Sequence, residues 1–275
     1  MSSTTNKPPQ DSDLLLPFEI TNIPKEYLEY YKIKRNNFFA SIQAFPDLWK
    51  MFMLLDKLWL RELADLHAAV SADRMFPMVL YVNAHAKIRI SMELALSGCV
   101  SEARSILRDA IEFVAHAHAM VKDPRLLRTW LCKDDGKAEM EAYKDAFDRN
   151  KRTVLFDGLG ELHDQWCELS ETGSHANMNA IYERLSIVET STHVEFNLRY
   201  TGGHKPEILV SLIFTMLLTG FVMEDVFFKD YESRLKLDIE LERMRREFAA
   251  FKEWLRKEII ARYKIPPPAP STRKP

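Results

Sequence analysis

The chain has 275 residues, 38 Lys and Arg against 40 Asp and Glu, and 47% hydrophobic residues. Its size and apolar content suffice for a large core, while a formal net charge of -2 removes any global electrostatic case for nucleic acid or an anionic membrane surface. Cys99, Cys132 and Cys167 are odd in number and lack CxxC spacing, which argues against a disulfide framework or a structural zinc site and points to a reducing, cytoplasmic setting.

Residues 1–17 hold no basic stretch followed by an apolar run and read as a disordered leader rather than a secretory signal. Helical periodicity begins at Pro24, carrying Tyr27, Leu28, Tyr31, Ile33 and Phe38. It resumes from Leu48 to Val70 with Trp49, Phe52, Leu55, Leu58, Trp59, Leu63 and Leu66, and Pro24 and Pro46 suit first-turn positions. From Met75 to Met120 the pattern is nearly continuous, interrupted only at Gly98, so one kinked helix or two helices breaking at Ser97-Gly98 are expected. Pro124 ends that run. A short helix at 126–132, a turn at 133–137, a polar covering helix at 138–152 and a further helix at 155–170 follow, the last stopped by Gly173. Ser174, His175, Ala176 and Asn177 then open a short helix whose free N–H groups suit an anion.

Val194 to Tyr200 alternates apolar and polar residues, a strand pattern that Ser186 to Thr190 can pair with through a short turn. The apolar run from Ile208 to Met223 is shorter than the roughly 20 residues a bilayer demands, and predicts a buried central helix with no membrane contact. Phe227 to Tyr263 reads as one charge-rich amphipathic helix projecting as a coiled-coil-like arm. The expected fold is therefore all-α, an elongated multi-helix bundle with one small β-hairpin and a long C-terminal amphipathic helix. Residues 18–232 form the bundle, 233–264 the arm and 265–275 a Pro-rich tail, with homo-oligomerisation through the long helices.

The most selected polar face lies between Ser101 and Lys122. Arg104, Ser105, Arg108, Asp109, Glu112, His116 and His118 fill one side of a helical wheel, and no lysine occurs between Lys87 and Lys122. Arg108 and Glu112 are spaced for i,i+4 pairing and His116 continues the row, so a buried polar seam between helices is expected. Gly98, Glu102-Ala103, Arg108 and Glu112, with Ser170, Glu171 and His175 some sixty residues on, resemble an uncharacterised bacterial all-helical family. That family's pattern runs G-x3-EA-x4-R-x3-E on one helix and S-x3-H on another, and the Ser170 to His175 spacing here is one residue longer. The resemblance implies a helical fold and an Arg/Glu/His cluster, and carries no substrate.

Arg199 and His204 have the R-x4-6-H spacing of the HEPN ribonucleases, which this stretch also resembles. That resemblance implies metal-independent RNA cleavage, with His204 as general acid or base and Arg199 stabilising the phosphate charge, in a defence or toxin setting. A third reading is metal-dependent hydrolysis at His163-Asp164 with Cys167 one turn on, although di-iron ExxH pairs are missing. The leading expectation is a non-catalytic interaction or regulatory protein, free of metal and cofactor, that binds a protein partner. RNA enters only under the ribonuclease alternative.

Overall fold

The computed structural model describes residues 23–66, 72–148, 154–173, 184–198 and 206–263. Nine α-helices and one hairpin appear among them, in accord with the all-α expectation: α1 (Lys25–Ala44), α2 (Pro46–Leu66), α3 (Ala72–Leu96), α4 (Val100–Lys122), α5 (Arg125–Leu131), α6 (Lys137–Ala146), α7 (Gly160–Gly173), β1 (Leu185–Glu189), β2 (Val194–Leu198), α8 (Pro206–Tyr231) and α9 (Ile239–Tyr263).

The break between α3 and α4 falls at Gly98, whose φ of 83° is a left-handed conformation that a Cβ disfavours. The Gly98 N–H donates to the Ala95 carbonyl at 3.0 Å and the Cys99 N–H to the Leu94 carbonyl at 2.8 Å, closing the helix end in a Schellman arrangement. Gly98→Ala is expected to cost about 1 kcal/mol, read as a shift of the urea midpoint at unchanged slope. Ala103, Ala110 and Ala117 recur every seven residues on α4 and are fully buried. The Ser91 hydroxyl on α3 donates to the Ala103 carbonyl at 2.6 Å, which marks how closely the two backbones approach. α1 has no fully buried residue; Phe38 and Ile42 pack partly buried against the core, and at the end of α3 the Ser41 hydroxyl donates to the Leu96 carbonyl and the Asn37 amide to that of Ser97.

The centre of the body is α8, which packs against α2, α3 and α4. Gly220 lets α2 cross it, since a Cβ there would lie 2.8 Å from a Leu55 methyl. The helix outruns the apolar stretch that announces it, continuing through Glu224 to Tyr231, because Glu224 is met by an arginine inside the fold rather than by water. Among the described residues α8 is the one helix long and apolar enough to cross a membrane, and 50% of its most apolar stretch is buried within the body.

Two expectations for the C-terminus need correction. The single helix from Phe227 to Tyr263 is interrupted at 232–238, where Asp238 caps α9 by accepting the Leu241 N–H at 3.0 Å, and Asp65 accepts the Lys236 N–H at 3.0 Å. Nor does α9 project as an arm: it lies along α2 and buries Leu241, Phe248, Leu255 and Ile259, because that apolar stripe finds a matching surface within the chain.

Candidate functional site

The polar face of α4 turns inward, and its residues separate into distinct clusters. Arg108 is the hub of the first. Its Nε donates to the Ser170 hydroxyl on α7 at 3.1 Å, Nη1 to Asp109 at 3.2 Å and Nη2 to Glu112 at 2.8 Å, while the guanidinium lies over the Trp166 ring. Glu112 also accepts the Trp166 indole N–H at 2.8 Å, and the Ser170 hydroxyl donates to the Trp166 carbonyl at 2.7 Å. The expected pairing of Arg108 with Glu112 is thus joined by α7, one helix turn of which supplies both Trp166 and Ser170. Glu112→Ala strips an acceptor from two donors at once and is expected to cost about 2 kcal/mol. Arg125→Ala, which breaks a pair whose Arg125 side chain is 90% exposed, is expected to shift the thermal midpoint negligibly.

His116 and His118 diverge. His116 is buried against α6, where its ring stacks on Phe147 and Nε2 accepts the Tyr143 hydroxyl at 3.1 Å, while Nδ1–H donates to the Glu112 carbonyl at 2.8 Å. His118 instead donates from Nδ1 to Asp230 on α8 at 2.9 Å, and the Tyr81 hydroxyl donates to the other oxygen of that carboxylate at 2.5 Å. Burial and the Asp230 charge push the Tyr81 phenol well above its ordinary range, so it remains a donor. Arg104 lies apart, lining a cleft of about 300 Å³ with Glu168, Thr172, Glu207, Ser211 and Thr215. Glu171 sits on the exposed side of α7. His175, Arg199 and His204 lie outside the described residues.

Two buried clusters escaped the sequence reading. Asp56 on α2 accepts His85 Nε2–H at 2.8 Å and a two-pronged bond from Arg89, 2.5 Å from Nε and 2.8 Å from Nη2. Burial raises the Asp56 carboxyl, but Arg89 and His85 outweigh it and hold the group below its usual range. Burial pulls His85 down against the Asp56 charge and favours its neutral form. In the second cluster Glu62 on α2 and Glu224 on α8 are fully buried and both face Arg245 of α9. Arg245 also reaches Asp225 at 2.9 Å and lies over the Phe228 ring. A sequence signal existed for both clusters. Asp56 and Glu62 fall in the apolar register of Phe52, Leu55, Trp59 and Leu66, where a carboxylate has no business unless something meets it.

His163 Nε2 and Cys167 lie 3.8 Å apart on α7, yet no group of three His, Cys, Asp or Glu side chains suited to a metal occurs among the described residues. No family model, curated protein or solved structure matches the chain.

Proposed function

We propose that the chain is a non-catalytic helical interaction protein whose polar seam holds its own helices in register and whose uncovered apolar surfaces receive a protein partner, a second copy included. The observation that carries this reading is the use made of Arg108. A catalytic arginine is held ready for a substrate, whereas this one commits three of its five N–H donors, one from each nitrogen, to Ser170, Asp109 and Glu112 and its face to Trp166, so its position is fixed by its own helices. Apolar side chains meanwhile stand outward: Met75, Val79, Val82 and Ile90 follow one another along α3, each more than 40% exposed.

A photo-crosslinking residue at Val82 is expected to give one discrete adduct in cells, and the same residue at exposed Glu139 on α6 none. The HEPN-like ribonuclease reading rests on the Arg199 and His204 spacing alone, and the metal-dependent reading on His163, Asp164 and Cys167. Purified protein incubated with single-stranded and hairpin RNA decides the first: cleavage by the wild type that His204→Ala abolishes overturns the interaction reading. Metal content of the same preparation decides the second.

A further inference from the structure

The hairpin is the least finished part of the described fold. Among the described residues its two five-residue strands pair only with each other, and neither packs extensively along a helix. Arg184, just before β1, reaches Glu102 on α4 and ties the hairpin's base to the body. Two short strands alone are marginally stable in water, and an open edge is a template for a further strand. One face is apolar and uncovered: Ile187 is 51% exposed, Val194 47% and Phe196 67%.

The hydrogen-bond phase specifies what each edge offers. Ser191-Thr192 is a two-residue loop, closed by the Thr190 N–H donating to the His193 carbonyl at 2.9 Å. Bonded and non-bonded pairs alternate from that closing pair, so Val188 with Glu195 and Ser186 with Asn197 exchange bonds within the hairpin. The N–H and C=O groups of Val194, Phe196 and Leu198 therefore point out of β2, and those of Leu185, Ile187 and Glu189 out of β1.

We infer that a second copy of this chain pairs antiparallel along β2, about a two-fold axis through Phe196, to make a four-stranded sheet ordered β1-β2-β2-β1. This names the partner within the interaction reading proposed above and rests on it. In that register Phe196 meets Phe196 as a bonded pair, Val194 meets Leu198, and Glu195 meets Asn197. Every outward backbone group of β2 finds a partner and no like charges oppose one another. The equivalent pairing along β1 sets Glu189 against Leu185, burying an acid edge beside an apolar one, and is disfavoured for that reason. The β2 pairing also carries Ile187, Val194 and Phe196 of both copies onto one face, with the two Phe196 rings adjacent.

Sedimentation velocity on the full chain from about 1 to about 100 µM is expected to show a concentration-dependent dimer. Phe196→Pro removes an N–H that points away from β1, so no bond within the hairpin is lost, and Phe196→Lys brings two cations together at the axis without changing the backbone chemistry. Each is expected to weaken the dimer at least about tenfold with an unchanged far-ultraviolet spectrum. A wild type that stays monomeric throughout this range overturns the proposal. So does a dimer that both variants retain, and so does one that Val82→Glu on α3 dissolves while the Phe196 variants leave it whole. RNA cleavage dependent on His204 in a preparation that still dimerises through β2 would sink the interaction reading and leave this interface standing. A monomer without such cleavage would do the reverse.

Discussion

Arg245→Ala is expected to destabilise the protein by about 3–5 kcal/mol, seen as a thermal midpoint lower by roughly 10 °C. Glu62 and Glu224 are fully buried, and the Arg245 guanidinium is the cation both of them face. Removing it leaves two carboxyl groups in an apolar interior with no compensating charge, so each must bind a proton or stay ionised at high cost. The pH dependence follows from the same geometry. Burial and the Glu224 charge push Glu62 up to about 10, and burial pushes Glu224 up to about 7. Near neutral pH the pair therefore keeps a proton that the unfolded chain, titrating near 4.5, has already released. The folded state binds more protons across that window, so this pair's contribution is full below about 4.5 and falls as pH rises towards 10, by up to about 1.4 kcal/mol per pH unit per proton. Chemical unfolding at pH 6 and pH 9 is expected to show the higher midpoint at pH 6. Glu62→Gln keeps nearly the same shape and cannot ionise, so it is expected to flatten the profile. A wild-type profile flat between these values, or a Glu62→Gln variant with the full slope, would refute the assignment.

Trp59→Ala is expected to cost about 3–5 kcal/mol, the range for emptying a large core site. The indole is fully buried in a three-ring column, 5.3 Å from His85 on one side and 5.3 Å from Phe227 on the other, with interplanar angles of 4° and 6°. Phe227 in turn packs against Tyr81 and Tyr231, so the column joins α2, α3 and α8. Trp59→Phe keeps an aromatic ring in the column and removes a buried indole N–H that has no hydrogen-bond partner, so its cost is expected to be only about 1 kcal/mol. The histidine offers an independent readout. Burial is the main force pulling His85 down, so opening its stacked face with alanine is expected to move its NMR titration upward. If Trp59→Ala proves no costlier than Trp59→Phe, the column is not a keystone of the core.

Both clusters show why part of this protein is hard to read from its residues in order. Apolar periodicity predicts α2, α3, α4 and α8, and Gly98 announces the break between α3 and α4, because a helix must show one face to the core and a left-handed residue must end it. The alternation of β2 and its pairing with β1 were equally plain. Arg108 and Glu112 were recognisable as a pair because both sit on one helix at a spacing that makes them neighbours. Ser170, which joins them, is marked in the sequence only by the family resemblance, and Trp166 carries no polar signal of its own. The apolar run ends at Met223 but α8 does not, because Glu224, the acid that follows it, is wholly enclosed. Asp238 was available as a cap signal for α9 and marks the true division of the C-terminal region.

The sequence by itself determined what depends on near neighbours in the chain: which segments are helices, where the central apolar helix and the hairpin lie, and that α4 carries an unusual polar face. Only the tertiary structure decided what those polar groups do. A carboxylate on an apolar face is a defect until a cation arrives from elsewhere, and here Arg245 comes to Glu62 from a helix almost two hundred residues away. Likewise one continuous polar row on α4 was divided among α7, α6 and α8, because each of its turns faces a different helix. Helix spacing sets which way a side chain points, and packing alone sets what it meets.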